Sequence, residues 1–143
     1  MKRFFLALCA ALIGISAARA VEWDHDANLA GAAEAFLEAY EGGGMPQAEK
    51  VAALCQESLA AIVDDLQRLM RFEFCAGLDF AGYLTNRRDV DEKGRQNHQY
   101  FDREQVRRRL EPLTEFNLHP TMHQQVIQSW ARVVVAELDR RLK

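Results

Sequence analysis

Apolar residues recur at three- and four-residue spacing along most of this chain, and that spacing predicts helices. Leu29, Ala32, Ala33, Phe36, Leu37 and Tyr40 mark a first helix from Asp26 or Ala27 to Glu41, capped by Asp24 or Asp26. Gly42, Gly43 and Gly44 end it, and Pro46 suits the first turn of the next. A second helix follows from about Gln47 to Arg71, where Val51, Leu54, Cys55, Ser58, Leu59, Ile62, Leu66, Leu69 and Met70 form one stripe. Phe72 to Tyr83 is rich in aromatics but carries Gly77 and Gly82, which weaken a short helix there. A strand has little support, since alternation is poor and nothing would pair with it.

Asn86 to Gln99 is strongly charged, with Val90 its only large aliphatic, and reads as an exposed loop. Asp102 followed by Gln105 has the capping-box pattern of a helix start, with Val106, Leu110, Leu113 and Phe116 on the buried side. Pro112 either kinks that helix or begins another. The last helix runs from Pro120 almost to Leu142, and its length marks it as the natural central element. Its apolar face holds Met122, Val126, Ile127, Trp130, Val133, Val134, Leu138 and Leu142. The expected fold is all-α, a single-domain bundle of four main helices with short additional ones, preceded by a cleavable signal peptide.

The signal is read from Lys2 and Arg3, the apolar run Phe4 to Ile15 and the cleavage pattern Ala18-Arg19-Ala20. A membrane span needs about 20 apolar residues, so stable membrane insertion after cleavage is not expected. Residues 1–20 are thus assigned to export and residues 21–143 to one helical domain working in the periplasm. Loss of Lys2, Arg3 and Arg19 moves the net charge from −3 to −6, which argues against general nucleic-acid binding. It also removes Cys9 and leaves Cys55 and Cys75 as a pair, the count expected for one disulfide in an oxidising compartment.

That pair constrains the second helix. Were the helix unbroken to Arg71, its end would lie about 24 Å beyond Cys55. Four extended residues span only about 14 Å, and a disulfide adds about 6 Å between alpha carbons. The bridge therefore predicts a helix that stops or bends before residue 68, around Asp64 to Arg68.

Catalytic chemistry finds little support. His119 and His123 are four apart and, with His98, Asp102 or His25, would suit zinc or copper, but Pro120 puts His119 at a helix boundary and no HExxH motif is present. Asp89 to Gly94 resembles a calcium loop only until Lys93 and Tyr100 fall on ligand positions. No CxxC pair, haem attachment sequence or nucleophile elbow occurs. The expectation is a protein without cofactor and without enzymatic activity. Partner recognition is placed on the charged loop, with Arg87, Arg88 and Asp89 supplying selectivity and Tyr100 and Phe101 flanking it as anchors. The leading function is a small periplasmic protein that binds a protein partner, such as an inhibitor or immunity protein against a cell-envelope enzyme. The alternatives are a metal or small-ligand carrier and a structural or stress-related envelope protein, the latter implying a homodimer.

Overall fold

The computed structural model describes residues 23–112 and 120–142, so the expected signal peptide, Leu113, Phe116 and His119 lie outside the described residues. The chain forms α1 (His25–Ser58), α2 (Asp65–Lys93), α3 (Arg103–Leu110) and α4 (Pro120–Arg141), with 3-10 turns at Leu59–Ala61 and Gln99–Phe101. The architecture is an all-helical single domain with four main helices. Among the described residues, no helix is long and apolar enough to cross a membrane.

Local chemistry accounts for most boundaries. Asp24 caps α1 by accepting from the Ala27 amide at 2.9 Å, and the backbone leaves helical geometry at Gly43 and Gly44 just before Pro46. Asp64 and Asp102 cap α2 and α3 in the same way, through the amides of Gln67 and Gln105. Gly94 closes α2 in the left-handed conformation, at φ 59°, which a residue with a side chain rarely adopts.

The Cys55–Cys75 disulfide is present, with alpha carbons 5.5 Å apart. The helix carrying Cys55 stops at Ser58, a turn or more before Asp64, and Asp64 instead begins α2. The predicted break therefore occurs, but earlier than Asp64 to Arg68. The proposed stripe is cut with it: its Leu54 and Leu66 are exposed, while its Cys55 is buried. Bridging residues 20 apart restricts the unfolded chain, so replacing both cysteines by alanine is expected to lower unfolding free energy by about 3 kcal/mol in urea titrations.

The central element is α2, not α4. From Phe72 to Gly82 every side chain of α2 except Phe74 is buried, whereas α4 buries Trp130, Val134 and Leu138 and exposes Met122 and Val135. The two glycines that argued against a helix here explain the burial. A Cβ on Gly77 would sit 2.7 Å from the Ala32 Cβ, and one on Gly82 would sit 2.1 Å from the Phe101 ring. Close approach of neighbours outweighs the helix-propensity cost of glycine, about 1 kcal/mol. The helix also continues through the segment expected to be a loop. Arg87 with Asp91 and Asp89 with Lys93 form ion pairs four residues apart, which support a helix as far as the Gly94 cap.

Candidate functional site

Four buried polar side chains on α2 each grip a different part of the molecule. Glu73, fully buried, accepts from Trp23 Nε1 at 3.0 Å and Asn28 Nδ2 at 2.9 Å and also meets His25 Nδ1, which fastens the start of α1. Asp79, fully buried, accepts two bonds from the Arg109 guanidinium at 2.9 and 3.0 Å and one from Gln56 Nε2, tying α3 and the second half of α1 to α2. Burial pushes its carboxyl above the ordinary value despite the charge and hydrogen bonds of Arg109 and the bond from Gln56.

The other two hold the exposed loop Gly94–His98. Asn86 donates through Nδ2 to Asn97 Oδ1 at 2.8 Å and to the His98 carbonyl at 3.2 Å, and its own Oδ1 accepts from the His98 amide at 2.9 Å. Asp89 accepts from Tyr40 Oη at 2.5 Å, from Lys93 at 2.8 Å and from Arg95 Nη1 at 3.0 Å. Burial raises the Asp89 carboxyl, but the bonds from Lys93 and Tyr40 and the charges of Lys93 and Arg95 outweigh it and hold the group below its usual range. The Arg95 amide also bonds the Asp89 carbonyl, and Phe101 plugs the loop's far end beneath Gly82 and edge-on to Phe36.

Within that loop the side chains are almost all engaged. Arg95 is held by Asp89 and Tyr40, Asn97 by Asn86, and His98 Nε2 lies 3.4 Å from Glu49. Gln96 is exposed and makes no hydrogen bond among the described residues. It projects from a backbone fixed on both sides.

The five residues assigned to recognition do not share one surface. Arg87 is exposed and paired with Asp91; Arg88, one position on, lines a shallow cleft of about 160 Å³ with Val135 and Asp139 of α4. Asp89 is buried within its ion cluster and Phe101 is fully buried, so direct contact by either is closed off in this conformation. Tyr100 is half-buried beneath the Arg109 guanidinium, 3.9 Å from its ring centre. The charges of Asn86 to Lys93 give it the composition of a loop and mask a helix whose buried side is polar. Gly94, bounded by charged residues on both sides, was the available signal of a helix end.

Burial and then the Asp79 charge push the Tyr100 hydroxyl up to about 12. Unfolded tyrosine ionises near pH 10, so this group's contribution to stability is complete below about pH 10 and is lost as the pH rises through about 12. Absorbance titration at alkaline pH, subtracting a Tyr100→Phe variant, should show one phenolate appearing near the upper limit.

Of the histidines considered for metal, His25 is engaged by Glu73 and His98 faces Glu49; among the described residues no three metal-ligating side chains cluster.

Charge is unevenly divided along the fold. Residues 23–86 carry three cations against eleven acids, a net of −8, whereas residues 87–109 carry eight cations against five acids, a net of +3. The exposed loop lies inside the positive segment. Comparison with protein-family models, curated proteins and solved structures finds no match.

Proposed function

We propose that this chain is a small exported periplasmic protein that binds a protein partner, of the inhibitor or immunity type directed at a cell-envelope enzyme. The observation that supports this reading is the loop Gly94–His98, solvent-exposed yet held by the buried side chains of Asn86 and Asp89. A connection between helices needs no such anchoring. A recognition loop benefits from it, because a segment already ordered loses less entropy when it binds.

Export follows from residues 1–20 read as a signal, and the Cys55–Cys75 bridge suits an oxidising compartment. Affinity capture by the exported full chain, tagged at its C-terminus in its own host, tests the reading. An envelope enzyme should co-purify, and combined Arg87→Glu and Arg88→Glu reversal should reduce its recovery. Absence of any enriched enzyme contradicts the proposal.

A further inference from the structure

We infer that the loop Gly94–His98 and the exposed arginines of α2 and α3 on either side of it form a surface fitting a carboxylate-lined cleft on the partner, with Gln96 as the inserted side chain. This deepens the inhibitor reading and rests on it. Three observations converge on the loop. Its backbone is fixed from below by Asn86 and Asp89, its neighbours' side chains are engaged in hydrogen bonds or ion pairs, and Gln96 alone of Arg95 to His98 is without a hydrogen bond among the described residues.

The electrostatics choose the kind of cleft. The segment Arg87 to Arg109, which contains the loop, sums to +3 while residues 23–86 sum to −8, so the loop and the helices beside it are where an acidic surface is favoured. Arg87, Arg107 and Arg108 are exposed, and the carboxylates they pair with are themselves at least half exposed, so they remain available to a partner. Envelope enzymes that cut with a metal centre present a cation and bound water, which a cationic loop would meet unfavourably. Glycan hydrolases present a pair of carboxylates across an open cleft sized for a sugar chain. A neutral carboxamide carries both a donor and an acceptor, so Gln96 can satisfy the polar groups between those carboxylates without burying a charge. The inferred partner is therefore a glycan hydrolase acting on the cell wall.

Photo-crosslinking in the native host tests this, with a benzophenone amino acid placed in the full exported chain at position 96 and, as controls, at the exposed positions 38 on α1 and 128 on α4. The expected result is an adduct from position 96 alone, identified by mass spectrometry as a glycan hydrolase. With that enzyme purified, Arg87→Glu/Arg107→Glu should weaken binding at least tenfold at low salt, and the enzyme's own carboxylate-to-amide variants should weaken it similarly. An adduct from position 96 with a metal-centred amidase or peptidase overturns the acidic-cleft inference. Adducts from positions 38 or 128 but not 96 overturn the loop assignment while leaving protein binding intact. No adduct from any position overturns both.

Discussion

Replacing Arg109 by methionine is expected to destabilise the protein by about 3–5 kcal/mol, the cost of leaving a buried charge without its partner. Arg109 makes both hydrogen bonds of a paired guanidinium to Asp79, bonds the Tyr100 carbonyl at 2.8 Å and covers the Tyr100 ring. With Arg109 gone, Asp79 keeps only Gln56 as its partner in a site of zero exposure. The pH dependence of the loss follows from the same chemistry. Burial already holds the Asp79 carboxyl above its ordinary value, so folded Asp79 retains its proton at a pH where the unfolded chain has released it. The deficit in Arg109→Met should therefore grow as the pH rises and shrink as it falls toward protonation of Asp79. The double variant Asp79→Leu/Arg109→Met, which removes both charges, should recover most of the stability. Urea unfolding of the parent and the two variants across pH 4 to 8 measures all of this; equal stability of Arg109→Met and the parent at pH 7 would rule out a stabilising ion pair.

Phe101→Ala separates two roles for a residue that the sequence placed on a recognition surface. An exposed anchor would lose binding and leave stability unchanged. The ring is instead fully buried, edge-on to Phe36 and Tyr100 at 5.8 and 4.9 Å between centroids, and seated where Gly82 leaves room. Truncation should cost about 3–5 kcal/mol through lost transfer energy and the cavity left behind. Thermal unfolding of Phe101→Ala should show a large drop in midpoint, with Tyr100→Ala showing a smaller one because Tyr100 is only half-buried.

Helical periodicity was sufficient wherever apolar residues do the burying. The face of α1 from Leu29 to Leu37, the caps at Asp24 and Asp102, and Trp130, Val134 and Leu138 of α4 were all legible from spacing and cap chemistry. The disulfide was legible too, and the geometric need it imposed did break the second helix, at Ser58. Periodicity misses α2 because its buried side is written in glycines and polar residues. Gly77 and Gly82 look like helix breakers until the neighbours that crowd them are known. Glu73, Asp79, Asn86 and Asp89 look solvent-facing until at least one partner of each arrives from 10 or more positions away, such as Arg109 for Asp79 and Tyr40 for Asp89. Periodicity scores burial by hydrophobicity, and here burial is satisfied by hydrogen bonds whose other halves are distant in sequence.

For the candidate site the charged character of residues 87–99 was legible and its conformation was not. Arg87 and Arg88 stand near the expected surface, but the helix extends to Lys93, and only residues 94–98 form the exposed connection. Asn86 was the key residue missed. Its amide bonds Asn97 and His98 at the C-terminal end of the loop, a role that composition cannot show.

Buried side chains of α2 hold this exposed loop in one conformation, and amide hydrogen exchange at His98 reads that hold. That amide donates to Asn86 Oδ1 at 2.9 Å. It should exchange slowly in the parent protein and at least about tenfold faster in Asn86→Ala, while amides in the Cys75 to Ala81 stretch of α2 remain protected. Fast exchange at His98 in the parent, or an unchanged rate in Asn86→Ala, would contradict it.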